Sequence, residues 1–176
     1  MGIFLRRFIG HGGRISRKTM WTGLLALMAV AILLELVFSL IFGFPQSTTG
    51  ALTSISETGE TINTQYGNSD WRQLIMLIIL AYPLSALWFK RSHDINRSGM
   101  LVVIYLLVAA LSYIVGIVGL GYVTPEVGQM HMLQRTWLST LIQVAYGIMA
   151  VYLLVTLGFF AGTKGSNLYG SDPQGD

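Results

Sequence analysis

Four apolar stretches, each close to 20 residues long, constrain this chain more than any other feature of its sequence. An α-helix of about 20 apolar residues spans the roughly 30 Å hydrocarbon core of a bilayer. Only 11% of the residues are charged, whereas soluble domains carry about 25%. The sequence therefore predicts an all-α integral membrane protein with four transmembrane helices in one bundle, over about residues 20–43, 71–90, 100–122 and 137–161.

The segments between these stretches are polar. Residues 44–70 are rich in Ser, Thr and Gly and contain Glu57, Glu60 and Asp70, which predicts a flexible loop outside the membrane. Residues 91–99 predict a turn, and residues 162–176 predict a polar tail. Pro83 removes one backbone donor from the second helix and predicts a kink there.

The first apolar stretch follows a basic segment, as the core of a signal peptide would. It is longer than a signal-peptide core, and no small-x-small cleavage site follows it. We therefore expect the first helix to be retained in the mature protein.

Lysine and arginine are distributed unevenly between the two predicted sides. With the N-terminus inside, nine of them lie on the cytoplasmic side, and Arg72 and Arg135 lie on the other. This positive-inside bias predicts that both termini are cytoplasmic. The tryptophans lie at predicted helix ends, where indole rings favour the headgroup level; they are Trp21, Trp71, Trp88 and Trp137.

Small residues predict where the helices pack. Close contact between small residues is a main source of helix association in lipid. The third helix carries Ala109, Ser112, Gly116 and Gly119 on one face, and the fourth ends in a Gly158–Gly162 pair. Contact within the chain and contact between two copies both remain open.

Three polar segments, residues 13–17, 91–99 and 162–170, share the predicted cytoplasmic surface. Two interpretations remain open: a solvated turn, or a cluster that holds a lipid headgroup, a phosphate or a partner segment. We expect Asp94 to pair with an arginine of this surface, and the unpaired arginines to face the inner leaflet. The candidate residues are Arg14, Ser16, Arg17, Arg91, His93, Asp94, Arg97, Ser98, Gly99, Asn167 and Tyr169.

One carboxylate, Glu35, lies inside the first predicted helix. An ionised carboxylate near the bilayer centre costs roughly 2.5–3.5 kcal/mol, so it must be protonated or paired. Tyr113, Gln143 and Tyr146 lie at similar depths on the third and fourth helices. Glu35 is expected either to hydrogen-bond one of them and join two helices, or to relay protons or cations.

No catalytic constellation is visible in the sequence. The chain has no cysteine, and the adjacent His93 and Asp94 have His11 as the only other histidine predicted on their side. Three or four metal ligands cannot be assembled from this set. We expect neither enzymatic activity nor a cofactor.

Three motifs in a fixed order carry a resemblance to a known family. They are GRISRKTMW at residues 13–21, RSHDINRSG at 91–99 and GTKGSNLYGSDP at 162–173. The chain resembles the bacterial inner-membrane family called domain of unknown function 805. The resemblance implies a multi-pass inner-membrane protein and no particular reaction.

The sequence favours a structural or interaction protein whose cytoplasmic cluster contacts anionic lipid headgroups or a protein partner. The alternative is a small channel or transporter that uses Glu35 and oligomerises to enclose a path. The expected partners are the bilayer itself, anionic lipid, a second copy of the chain or another protein, and no nucleic acid.

Overall fold

A computed structural model describes residues 8–43, 49–55, 61–67, 70–123, 126–127, 130–131 and 134–173. Four helices dominate it. Each is long and apolar enough to cross a membrane, in agreement with the four predicted helices. They are α1 (Arg17–Phe42), α2 (Asp70–Asp94), α3 (Met100–Ile117) and α4 (Trp137–Phe159).

The helices pack as a ring of neighbours. Each helix contacts the next one along the chain, and α4 returns to contact α1. The buried apolar core lies at one end of the bundle, where α1 and α3 begin and α2 and α4 end. Elsewhere the apolar side chains are largely exposed, as on α1 at Ile32 and Leu40. The core consists of Ile15, Met20, Leu87, Trp88, Val102, Tyr105, Leu153 and Leu157.

The first and second helices extend beyond their predicted bounds at this packed end. The Ser16 hydroxyl caps α1 by accepting from the Thr19 N–H at 3.3 Å, so the helix begins three residues earlier than predicted. Helix α2 continues through Pro83 as far as Asp94. The predicted turn at residues 91–99 is therefore wrong for its first four residues, which are helical. The chain reverses only at Asn96, which has a φ of 56°.

The third and fourth helices end earlier than predicted. Helix α3 stops at Ile117, and Gly119 follows with a φ of 79°, a left-handed conformation that glycine adopts at helix ends. Helix α4 stops at Phe159, where Phe160 is already extended.

A β-hairpin lies within the segment predicted to be a flexible loop. Strands β1 (Thr49–Ile55) and β2 (Thr61–Gly67) pair antiparallel, from Thr49 opposite Gly67 to Ile55 opposite Thr61. Their threonine and isoleucine residues favour strands, a preference that the loop prediction overlooked. Glu57 and Glu60 lie outside the described residues.

Four short strands lie between α3 and α4. β3 (Tyr122–Val123) pairs with β6 (Gln134–Arg135), and β4 (Glu126–Val127) pairs with β5 (Met130–His131), both antiparallel. The segment therefore contains a second hairpin-like connection.

The small residues of α3 largely face the protein interior. Ala109, Ser112 and Gly116 are buried, as expected for a packing face within the chain. Gly119 is exposed and lies beyond the helix end, so it does not extend that face. On α4, a Cβ at Gly158 would lie 2.8 Å from the Trp21 ring, which explains the need for a glycine.

Two of the tryptophans have their rings engaged within the bundle. Trp88 is only 6% exposed, and its ring lies 5.3 Å from the Tyr105 ring. Trp21 donates its indole N–H to the Gly158 carbonyl at 3.1 Å instead of to water. Both rings therefore serve packing and capping within the bundle. Trp71 and Trp137 lie at the starts of α2 and α4 and are exposed.

Candidate functional site

The three polar motifs meet at the packed end of the bundle. The first runs into the start of α1, the second spans the end of α2 and the start of α3, and the third follows α4. Arg14 of the first motif and Thr163 of the third both contact Asp94 of the second. The structure thus joins segments that lie about 70 to 80 residues apart in the sequence.

Asp94 lies at the centre of this cluster. Its Oδ2 accepts a hydrogen bond from Arg91 Nη1, and its Oδ1 lies 3.0 Å from Arg14 Nη2. The side chains of Asp94, Arg91 and Arg14 are 4%, 0% and 1% exposed. The predicted pairing of Asp94 with an arginine of this surface is confirmed, and the arginines are Arg91 and Arg14.

Arg91 also binds the end of α4. Its Nε donates to the Leu157 carbonyl at 2.7 Å, and its Nη2 donates to the Phe160 carbonyl. These carbonyls have no partner within their own helix. They also lie at the negative end of the helix dipole, where a cation is favoured.

Arg14 binds the segment that follows α4. Its Nη1 donates to the Gly165 carbonyl at 2.6 Å, and its Nη2 donates to the Thr163 carbonyl at 2.5 Å. With Asp94 also bound through Nε at 3.1 Å, the planar guanidinium uses donors on three of its nitrogens. Arg14 is therefore one of the paired arginines, and its donors are turned inward.

Two further side chains complete the cap on α4. Trp21 donates to the Gly158 carbonyl, as described above, and Arg17 Nη1 donates to the Phe159 carbonyl at 3.2 Å. The four consecutive carbonyls of residues 157–160 are therefore all satisfied by side chains from α1 and α2. Arg17 is consequently a capping residue and not a partner of Asp94.

The backbone of Asp94 holds the third motif in place. The Asp94 carbonyl accepts from the Thr163 N–H at 2.8 Å and from the Thr163 hydroxyl at 3.0 Å. Asn167 Nδ2 donates to the His93 carbonyl and to the Thr163 hydroxyl, both at 2.8 Å. The tail is therefore bound to the end of α2 and is not a free polar extension.

His93 lies between the first and third motifs. Its ring stacks on the Tyr169 ring with centroids 3.9 Å apart and an interplanar angle of 2°. Its Nδ1 lies 3.3 Å from the Gly13 carbonyl. This arrangement makes the histidine a packing residue, and the neighbouring His11 instead contacts Ser85 at 2.9 Å.

The remaining candidates lie where α2 turns into α3. Gly99 is buried, and a Cβ there would overlap the Phe89 ring. Ser98 and Arg97 are exposed, and Arg97 Nη1 donates to the Tyr152 hydroxyl at 2.8 Å. Because the helix ends before Asn96, Arg97 does not share the face of α2 that carries Asp94.

The partner predicted for Glu35 is wrong. Arg72 Nη1 lies 3.3 Å from Glu35 Oε1, and Arg72 Nη2 donates to the Gly43 carbonyl at 2.9 Å. Arg72 lies in the first turn of α2, and its long side chain is 4% exposed. Of the predicted partners, Tyr146 is instead hydrogen-bonded to the Tyr105 hydroxyl at 3.0 Å. Tyr113 and Gln143 are partly buried.

Several functional contacts were missed by sequence reasoning. Three residues outside the candidate list bind or pack against residues in that list; they are Tyr152, Gly162 and Thr163. A Cβ at Gly162 would lie 2.7 Å from the Asp94 Cγ, so only glycine allows the tail to pass the carboxylate. Position 162 is the second glycine of the Gly158–Gly162 pair, which was assigned to helix packing, and its spacing gave no sign of a carboxylate neighbour.

A polar pocket of about 190 Å³ adjoins the cluster. It is lined by Arg17, Lys164, Thr163 and the carboxylates of Asp94 and Asp172, among others. Across the described ranges, no group of three or more His, Asp or Glu side chains could hold a metal ion.

Comparisons with known proteins agree with the motifs. The sequence model of the family described as "Protein of unknown function (DUF805)" matches residues 8–171. The chain is similar to "Uncharacterized protein YiiR" of Escherichia coli strain K12 and of E. coli O157:H7, each 29% identical over 102 residues. The aligned region covers 56% of this chain and 58% of each relative. No solved structure gives a significant match.

Proposed function

The chain belongs to the DUF805 family, whose function is not established, and from this premise we propose a structural, lipid-contacting role in the bacterial inner membrane. In this proposal the chain crosses the membrane four times, with both termini in the cytoplasm. The folded motifs form a rigid cytoplasmic platform, and a rim of exposed cations around it contacts anionic lipid. The chain has no catalytic role.

The topology in this proposal is supported by charge. In the described part of the chain, seven Lys and Arg residues lie at the motif end of the bundle, and Arg72 and Arg135 lie at the other end. Such an excess marks the cytoplasmic side of a membrane protein.

The saturation of the buried arginines is the observation that carries the proposal. Arg14 and Arg91 direct their donors at Asp94 and at backbone carbonyls. A guanidinium so engaged has little capacity left for a substrate. The buried cluster therefore holds the three motif segments together. In this proposal, the cations outside the cluster contact the ligand.

The exposed cations form the basic rim, which we define as Arg17, Lys18 and Lys164. All three are exposed at the motif end of the bundle. Near an anionic leaflet, each such cation contributes about 1 kcal/mol of attraction. Because they are exposed, salt within a Debye length of about 10 Å at 0.1 M screens them.

A lipid titration tests the proposal. The full chain in neutral detergent would be titrated with phosphatidylglycerol at two salt concentrations, for wild type and for the double variant Lys18→Gln, Lys164→Gln. We expect the double variant to bind about 10- to 30-fold more weakly at low salt. Arg135→Gln removes a charge at the opposite end and is the control. Equal, salt-insensitive binding by all three proteins would overturn the proposal.

This design leaves Arg14 intact for a structural reason. Its side chain is 1% exposed and holds Asp94 and the tail. Removing it would disturb the fold, so a loss of lipid binding would carry no information about lipid contact. Arg17 is kept as well, because it caps α4.

The use of Glu35 as an ion carrier gains no support from its surroundings. The carboxylate has a cationic partner in Arg72. A fixed cation at this distance favours a held ion pair that joins α1 to α2 over a group that takes up and releases ions.

A further inference from the structure

We propose that the groove between the end of α2, the start of α3 and α4 binds one anionic phospholipid, with its phosphate on Arg97. This inference rests on the proposed lipid contact and deepens it, since it names a discrete site in addition to the diffuse basic rim. The groove has a volume of about 210 Å³.

The groove is lined by both polar and apolar side chains. Arg97, Ser98 and the Tyr152 hydroxyl form its polar part, and Leu101 and Leu153 form its apolar part. Leu101 is 40% exposed and Tyr152 is 45% exposed, so the groove opens on the outer surface of the bundle. A phospholipid combines the same two chemistries, with a phosphate joined to acyl chains.

Arg97 differs from the arginines of the buried cluster. Within the described ranges no carboxylate forms an ion pair with it, and the contact it makes is with the neutral Tyr152 hydroxyl at 2.8 Å. Arginine matches a phosphate with two parallel hydrogen bonds. The tyrosine hydroxyl lies beside the guanidinium and can donate to the same phosphate.

The size of the groove favours a lipid over a free metabolite. Sites that enclose a small molecule usually measure about 300–1,000 Å³, more than this groove offers. A headgroup phosphate and the first part of one acyl chain would occupy it, and the rest of the lipid would remain in the bilayer. A free phosphate would leave the apolar part unfilled.

The test counts lipids bound to the full chain by native mass spectrometry in neutral detergent. The probes are phosphatidylglycerol, phosphatidylcholine and inorganic phosphate. We expect Arg97→Gln to weaken binding of the first phosphatidylglycerol roughly tenfold, which equals about 1.4 kcal/mol. Tyr152→Phe keeps the ring and loses one hydroxyl, so we expect a loss of about threefold. Leu101→Trp would fill the apolar part and should also weaken that first lipid.

Arg135→Gln is the matched control, because it removes an exposed arginine that lies at the opposite end of the bundle and outside the groove. It should leave the first lipid bound with wild-type affinity. Thermal unfolding of each variant checks that the fold is intact; Arg97 is exposed, so its replacement should leave the midpoint unchanged.

Three outcomes would contradict a phospholipid site in the groove. They are wild-type affinity in Arg97→Gln, equal retention of phosphatidylcholine and phosphatidylglycerol, and displacement of the bound lipid by inorganic phosphate alone. The two proposals fail separately. If the rim variant loses salt-sensitive binding while Arg97→Gln binds normally, the groove is not a lipid site and the lipid-contacting role of the rim is retained. If only Arg97→Gln loses its lipid, the groove is a lipid site and the proposed role of the rim is contradicted.

Discussion

At the scale of single residues, the unusual feature is a buried carboxylate held between two buried guanidiniums. Removing charges from water costs several kcal/mol per ion, and attraction to close partners together with hydrogen bonds must offset that cost. Here Asp94 supplies one negative charge, and backbone carbonyls of residues 157–165 accept the remaining donors of Arg14 and Arg91. The cluster is stable because nearly every polar atom has a partner, and it is correspondingly intolerant of losing one.

Asp94→Asn should destabilise the chain strongly. The amide keeps the shape of the carboxylate and removes the charge, which leaves two buried guanidiniums uncompensated. Breaking a buried pair in this way costs about 3–5 kcal/mol. We expect a lower thermal unfolding midpoint in detergent, with membrane insertion unaffected, since the apolar helices are unchanged.

Asp172→Asn is the control, because it removes a carboxylate of the third motif that lines the same polar pocket at a less buried position. It should lower the midpoint far less. An unchanged midpoint in Asp94→Asn would contradict a structural role for the cluster and would reopen the prediction of a solvated turn.

At the scale of helices, each end of the bundle uses an arginine to join neighbours. Arg91 and Arg17 cap α4 at the motif end. Arg72 of α2 reaches both Glu35 within α1 and the Gly43 carbonyl at its end. Arginine suits this purpose, because its apolar stem can lie along apolar surface while its charged head reaches a polar partner.

Glu35 should tolerate glutamine and reject lysine. Glutamine keeps a hydrogen bond to Arg72, and because the Glu35 side chain is 34% exposed, we expect a loss of only about 1 kcal/mol. Lysine would set two cations side by side. The measurement is thermal unfolding, with Arg72→Gln and the double variant completing a mutant cycle for the pair.

Ion flux into vesicles is measured on the same proteins. A Glu35→Gln protein that unfolds normally but loses a proton or cation flux present in wild type would contradict the structural assignment. It would favour the transporter alternative.

At the scale of the whole molecule, the bundle is packed at one end and largely apolar on its outside. The core and the polar cluster share the motif end, whereas α1 exposes most of its apolar side chains. Apolar groups exposed over the length of a helix suit contact with hydrocarbon. Rigidity is therefore concentrated at the proposed cytoplasmic surface.

Cysteine labelling tests the topology without background, because the chain has no cysteine. Lys18→Cys and Ser171→Cys lie at the motif end, Leu120→Cys follows α3 at the opposite end, and all three positions are exposed. In intact cells a membrane-impermeant maleimide should label only Leu120→Cys. In lysed cells it should label all three. Labelling of Ser171→Cys in intact cells would contradict a cytoplasmic C-terminus.

The sequence by itself determined the number of helices and the identity of the polar motifs. Both follow from local properties, namely apolar length and the exclusion of charge from hydrocarbon. It also limited the partners of Asp94 to a few arginines, because topology brought three motifs to one end. The extension of α2 to Asp94 and the β-hairpin were not predicted, because the tertiary contacts of Asp94 and the pairing of the two strands outweighed local polarity.

Only the tertiary structure decided which arginines are buried and which are exposed. Arg14, Arg17, Arg91 and Arg97 look alike in the sequence, yet two bind Asp94, one caps α4 and one borders a groove. The Glu35–Arg72 pair was missed for the same reason. A long side chain ends several ångströms from its own backbone, so its partner depends on how the helices are placed beside one another, and that information is not local to the sequence.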